Sequence, residues 1–269
     1  MSRFTVFGAS GFIGRRLTAY LRGQGHDVLA LDRRDKYING EFGHGIYCIG
    51  MTADFRTQPL NTARAHIGVL TDLLESCSFE SFLYLSSTRV YAGLEVATEE
   101  SALMVRPENA DHLYNVTKLA GETLTLANAS SSWRVVRLSN VIGPGDAPKN
   151  FLPSLIADAR QRKRVLLRTT PDSSKDYIGI ADVVQVIEQI SLRGRHRIYN
   201  VASGRNTSNA QIAAFLRDKL GAEVEYERNA SRTVFPEIRI SRLAGEFGFA
   251  PTSFEEAFEA ASNLYKEVL

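Results

Sequence analysis

The sequence predicts an α/β fold, doubly wound around a mostly parallel sheet and carrying a small C-terminal α/β substrate lobe. Three observations predict it. Short β-rich runs alternate with longer amphipathic segments through the first half, glycines stand where the first run hands over to the first amphipathic segment, and a breaker-rich stretch follows Asn140. A length of 269 residues accommodates one sheet-based unit and a small second lobe. Hydrophobic residues at 44% and charged residues at 23% are those of a folded globular protein.

In order, strands are expected over 4–7, 27–31, 45–49, 82–85 and 134–138, and helices over 13–22, 61–76 and 114–128, joined by right-handed crossovers. Gly143, Pro144, Gly145 and Pro148 then mark a lobe boundary. Beyond them the pattern predicts a helix over 151–162, a strand over 176–180, a helix from Asp182, a strand over 198–201, a helix over 209–220 and a last helix from Ser253. Residues 1–148 are therefore expected to form the sheet-based domain and 149–269 mainly the second lobe, with part of 176–202 able to return to the main sheet.

A formal net charge of +2 provides no field that demands nucleic acid or an acidic membrane as partner. The basic run Arg160, Arg162, Lys163 and Arg164 reads as a solvated helix end. Cys48 and Cys77 have neither a disulfide framework nor metal-ligand spacing, so no metal is expected. No apolar stretch reaches the ~18 residues of a membrane span and the N-terminus shows no cleavable signal, so a reducing cytoplasm is the expected compartment.

The first run leads into Gly8, Ser10, Gly11, Phe12, Ile13 and Gly14. Gly8 allows a tight turn, Gly11 lets backbone N–H groups approach a pyrophosphate, and Gly14 permits close helix–strand packing, the arrangement of a Rossmann-type dinucleotide site. Asp32, at the end of the second run, lies at the distance expected for an acid that bonds an adenosine ribose, although an ordinary turn acid would look the same. Arg33 and Arg34 could hold a 2′-phosphate. NAD is the expected cofactor, with NADP open.

The run 82–87 ends in Ser87 at the sheet edge where ligands bind. Tyr114 and Lys118 stand four apart on one helix face, a spacing also found for a core aromatic beside a snorkelling lysine. A phenol with a free pKa near ~10 is a poor base at neutral pH, and a neighbouring ammonium favours its ionised form.

Together the segments 8–14, 85–91, 114–118, 137–145, 176–183 and 199–204, with Asp32, resemble the extended short-chain dehydrogenases/reductases, the family of nucleotide-sugar epimerases, dehydratases and 4-ketoreductases. The resemblance implies that Ser87 bonds the reacting oxygen, Tyr114 transfers the proton, and Lys118 binds the nicotinamide ribose and lowers the Tyr114 pKa. It extends the cofactor contacts to Gly50 and implies substrate contacts at Thr88, Asn140, Lys175 and Arg232, the last three around a diphosphate. It also implies a homodimer through paired helices, for which Val116, Leu119, Leu124, Leu126, Leu70, Leu73 and Leu74 are candidates.

Three departures qualify it. Only about a dozen residues separate Asp32 from the next strand, so a crossover unit is missing and the sheet should be smaller there. Thr88 and Arg89 stand where dehydratases carry an Asp-Glu pair, which disfavours sugar dehydration. Met51, Thr52, Ala53 and Asp54 replace the usual small residues after the cofactor-facing strand. The expected activity is hydride chemistry on a nucleotide-diphosphate sugar, epimerisation or 4-keto reduction, within carbohydrate biosynthesis. The alternatives are a non-catalytic dinucleotide-binding redox sensor and a reductase of a non-sugar carbonyl.

Overall fold

The computed structural model describes residues 1–32, 35, 40–146 and 150–263. Strand β1 (Arg3–Phe7) buries Phe4, Thr5, Val6 and Phe7 completely, as a strand covered on both faces must. It pairs in parallel with β2 (Asp27–Leu31) on one side and β3 (His44–Tyr47) on the other. With β4 (Ser81–Ser87), β5 (Trp133–Leu138) and β6 (Ile198–Val201) they form a six-stranded parallel sheet in the order β6-β5-β4-β3-β1-β2. Among the described residues β2 has β1 as its one neighbour and ends the sheet, the outcome expected of the shortened connection after Asp32.

One face of the sheet is covered by α1 (Phe12–Gly23) and by α4 (Ile180–Arg193), introduced here with the intervening helices α2 (residues 59–76) and α3 (Leu113–Ala127), which lie on the other face. Leu17 and Leu21 of α1 meet Val183, Val186, Ile187 and Ile190 of α4 over the sheet. Each such burial contributes about 1.5–3 kcal/mol before conformational entropy is set against it. Opposite, Leu70 and Leu73 of α2 pack with Tyr47 and Tyr84. Both leucines have no exposed surface, so they cannot serve the dimer contact anticipated for them, whereas Val116 and Leu124 of α3 are 38% and 37% exposed.

The helix expected over 61–76 begins earlier, at Pro59, whose missing N–H is harmless in a first helical turn. It also contains a π turn over Arg64–Gly68 between two α segments.

A second core joins Leu152, Leu155 and Ile156 of helix Phe151–Gln161 to Ile212 and Leu216 of helix Asn209–Leu220 and Phe258 of helix Phe254–Asn263. These pack on a parallel strand pair, Arg164–Thr169 with Glu223–Ser231. Strand Ser174–Gly179 stays out of the main sheet and pairs with Asn140–Ile142 and Asn206–Ser208 instead. The basic run closes a helix end as expected, with Arg162 on Asp158 and Arg164 on Glu225.

Candidate active site

The C-terminal ends of β1, β2, β3 and β4 lie along one edge of the sheet, with Phe7 opposite both Leu31 and Tyr47 in register. Gly8 leaves β1 at φ +84°, a left-handed conformation, and a Cβ on Gly14 would lie 2.2 Å from the Gly8 carbonyl oxygen. The Gly8 and Ala9 amides donate to the Leu31 carbonyl at 2.7 and 3.1 Å, tying the turn to the end of β2. Gly11 caps α1 without a side-chain hydrogen bond, so the first-turn amides of Phe12, Ile13 and Gly14 face out from an uncapped helix start. This cradle fits a pyrophosphate. The Asp32 carboxylate accepts from the Ser10 amide at 2.9 Å. Arg33 and Arg34 lie outside the described residues.

Gly14→Ala would force a methyl into the Gly8 backbone. Nicotinamide-dinucleotide affinity is expected to fall at least about tenfold, a loss of about 1.4 kcal/mol. Titration of NAD against the variant and the parent measures it, and equal affinities would remove the loop from the site.

Ser87 ends β4, its hydroxyl accepts from the Arg89 amide at 3.2 Å, and it is close enough to the Tyr114 phenol to lower its pKa. Thr52 acts on the same phenol, so the unusual segment after β3 reaches the site. Tyr114 and Lys118 are 4% and 5% exposed. Burial pushes the phenol above its ordinary value, while the Ser87 and Thr52 hydroxyls and the Arg89 charge pull it back. Lys118 donates to the Leu85 carbonyl at 2.8 Å and lies 5.1 Å from the Tyr84 ring centroid.

Burial pushes the Lys118 ammonium down to about 8, with Glu122 and Cys48 opposing the shift. A Cβ on Gly50 would lie 3.4 Å from both this ammonium and His66 Nε2, so Gly50 borders the two groups.

His66, on the π turn, is wholly buried and packs edge-on against Tyr114 with centroids 5.3 Å apart. Its Nε2 accepts from the Met51 amide at 3.2 Å, which puts the proton on Nδ1, where it is donated to Thr117 Oγ1 at 2.8 Å. Thr117 in turn donates to the Tyr114 carbonyl at 3.0 Å. Burial, and then Lys118, lower the imidazole to about 2, so it is neutral.

These two bases give stability a defined pH dependence. The unfolded chain binds a proton on Lys118 up to about its ordinary 10.5, the folded chain only up to about 8, so folding stability should rise with pH between those values. His66 makes stability fall as pH drops below 6.5, because the unfolded chain protonates there and the folded chain does not. Urea unfolding across pH should show the His66 slope below 6.5 and the Lys118 slope between about 8 and 9, above which buried Cys48, pushed up to about 12, opposes it. Lys118→Met should lose the alkaline slope, and its persistence would refute the assignment.

On the substrate side, Thr88 is buried in the 3-10 turn Thr88–Tyr91. Asn140 is exposed and donates to the Asp176 carbonyl at 2.8 Å. Lys175 lies 4.6 Å from the Phe151 centroid and 5.6 Å from that of Phe235, and burial, then Arg89, lower its pKa. Arg232 does not join this group: its guanidinium is engaged by Asp172 in an exposed ion pair. Thr52, Phe55, His66 and Thr117 complete the surroundings of Tyr114 and were not singled out as site residues by sequence.

Residues 4–202 match the model of the NAD dependent epimerase/dehydratase family. The chain belongs to that family. NAD dependent epimerase/dehydratase proteins use NAD, and the uncapped glycine cradle here is built for such a dinucleotide. Among characterised members, the dTDP-glucose 4,6-dehydratase of Streptomyces griseus is 31% identical over 64% of this chain, which spans about half (54%) of that relative. A dTDP-4-dehydro-6-deoxy-D-allose reductase of Streptomyces sp is 22% identical over 97% of this chain and 95% of its own length. The solved structure of RMD from Pseudomonas aeruginosa complexed with NADPH superposes with a TM-score of 0.81 at 26% identity, over 99% of this chain and 100% of that one. MoeE5 in complex with UDP-glucose and NAD gives 0.83 at 24% identity, over 99% of each chain. Among the described residues no helix is long and apolar enough to cross a membrane, and no group of three His, Cys, Asp or Glu could hold a metal.

Proposed function

We propose that the protein is an NAD-using enzyme that moves hydride at a sugar carbon of a nucleoside-diphosphate sugar, by epimerisation or by reduction of a 4-keto group. The observation that supports this reading is the meeting of Ser87, at the end of β4, with the buried Tyr114 phenol, one helical turn from buried Lys118. NAD, when bound, supplies the hydride acceptor or donor. Ser87 then orients the sugar oxygen through its hydroxyl, and Tyr114 gives or takes the proton at its phenol oxygen. Lys118 would hold the nicotinamide ribose, Gly8 to Gly14 with Gly50 the rest of the dinucleotide, and Asp32 the adenosine ribose. Asn140 and Lys175 would receive the substrate diphosphate beside Thr88.

Elimination of a sugar hydroxyl needs an acid–base pair beside the hydroxyl residue, and Thr88 with Arg89 supplies neither member. That supports epimerisation or reduction over dehydration. Among the described residues the sheet ends at β2, which supports looser cofactor retention and so the reductase branch, where cofactor must exchange at every turnover.

The test is to purify the protein, read nicotinamide absorbance, and follow NADH or NADPH oxidation with 4-keto nucleotide sugars alongside epimer formation from UDP- and dTDP-sugars. Absence of both nicotinamide and nucleotide-sugar binding in thermal-shift titrations would sink the reading. Exposed Val116 and Leu124 on α3 support an isologous dimer. Sedimentation at micromolar concentration should show it, and a monomer there rejects it.

A further inference from the structure

The irregular segment that follows β3 runs between two parts of the site. On one side it lies against the glycine turn: the Cys48 amide donates to the Phe7 carbonyl at 2.8 Å, and a Cβ on Gly8 would stand 3.0 Å from the Ile49 amide nitrogen. On the other side Gly50 borders Lys118 and His66, and the chain continues through Met51 to Thr52 beside Tyr114. Among the described residues the backbone of 50–52 makes one hydrogen bond, from the Met51 amide to His66 Nε2 at 3.2 Å. A single side chain therefore anchors the stretch that joins the glycine cradle to the proton-transfer group.

We propose that His66 is a positioning residue: it fixes this segment as the floor of the dinucleotide site and keeps that floor in register with the helix bearing Tyr114 and Lys118. The inference rests on reading the Gly8 to Gly14 cradle as the NAD site, and it gives His66 a task in cofactor binding.

His66 is itself held from the sheet and from α3. It lies in the π turn of α2, where the Ala65 carbonyl accepts from the Tyr47 phenol of β3 at 2.7 Å and the His66 carbonyl from the Tyr84 phenol of β4 at 3.3 Å. Its ring edge rests on Tyr114. The hydrogen bonds then run in one direction: the Met51 amide gives to Nε2, Nδ1 gives to Thr117 Oγ1, and Thr117 gives to the Tyr114 carbonyl. An amide can only donate, so the chain works with one form of the ring alone, neutral and protonated on Nδ1. A buried side chain with both nitrogens satisfied fixes a spacing between floor and helix that apolar packing would leave free to slide. A histidine that merely filled the space would need no particular tautomer.

The experiment begins with 15N NMR of the full chain, which reads the tautomer without cofactor; a proton found on Nε2 overturns the proposal. Two conservative variants then separate the nitrogens, because a glutamine can place its carbonyl oxygen where Nε2 stands and an asparagine reaches only as far as Nδ1. His66→Asn should free the Met51 amide, speeding its hydrogen exchange at least about tenfold and weakening NAD binding by about the same factor. His66→Gln should keep both within about threefold of the parent. Parental NAD affinity in His66→Asn, or equal losses in the two variants, overturns the proposal. A purely structural role would lower urea stability in both without separating their NAD affinities. If His66→Asn does not fold, Thr117→Val takes its place: it removes the acceptor at Nδ1, so the same loss at Met51 and in NAD affinity is expected, and parental values there overturn the proposal. A parent chain that binds no NAD would overturn the cradle reading and this inference with it, whereas equal NAD binding in parent and variants overturns this inference alone.

Discussion

Replacing Tyr114 by Phe is expected to lower turnover on a nucleotide-sugar substrate by about 10²–10⁴, the effect of losing one acid–base group. Phenylalanine retains the ring that packs on Phe55 and on the edge of His66, so the fold and NAD affinity should be nearly unchanged. The phenol oxygen alone is lost, with its interactions with Ser87 and Thr52. Steady-state kinetics and NAD titration together separate the outcomes. Full turnover in the variant would refute the catalytic assignment, whatever the fold.

The second large effect concerns stability. Glu122 and Arg137 form an ion pair at 2.7 Å with about 4% of either side chain exposed, and Glu122 also accepts from Ser86. Arg137 continues the chain to Tyr91, which donates to Asn200 on β6. Glu122→Ala removes the counter-charge and leaves a guanidinium buried, a change that costs about 3–5 kcal/mol. Urea unfolding at neutral pH measures it. Exchanging both residues for apolar ones of similar volume should cost less than the single change, because no uncompensated charge remains. A single variant within 1 kcal/mol of the parent, on the order of a surface substitution, would contradict this account.

The parts of the site that sequence discloses are those encoded by neighbours in the chain. Gly8, Gly11 and Gly14 mark a strand-to-helix turn within seven positions, and Tyr114 and Lys118 share a helix face by their spacing. The shortness of the link after Asp32 likewise foretells a sheet that ends at β2. What sequence does not disclose depends on contacts between distant segments. His66 meets Thr117 across 51 positions, and as a lone histidine on an apolar helix face it looks like filler until the fold brings the two together. Thr52 belongs to an irregular segment whose path no periodicity predicts.

Arg89 could be recognised only as a departure, since charge type alone does not say which ring it will cover. Lys118 is brought to the site by the same spacing, and the backbone carbonyl that holds its ammonium, that of Leu85, lies 33 positions away and is set by the fold. Arg232, a candidate by charge, stands in an exposed ion pair with Asp172, a partner that sequence does not indicate.

The position of β2 separates two kinds of evolutionary change. Ser87, Tyr114, Lys118 and Arg89 all stand on β4, α3 or the turn between them, three strands inward from the margin that bears Asp32. A marginal strand touches one neighbour, so substitutions, and even insertion of a further strand and helix, disturb little beyond it. Preference between the two nicotinamide dinucleotides can therefore drift, or be redesigned, by editing the chain around Asp32 while the chemistry inherited on the inner strands is left as it was.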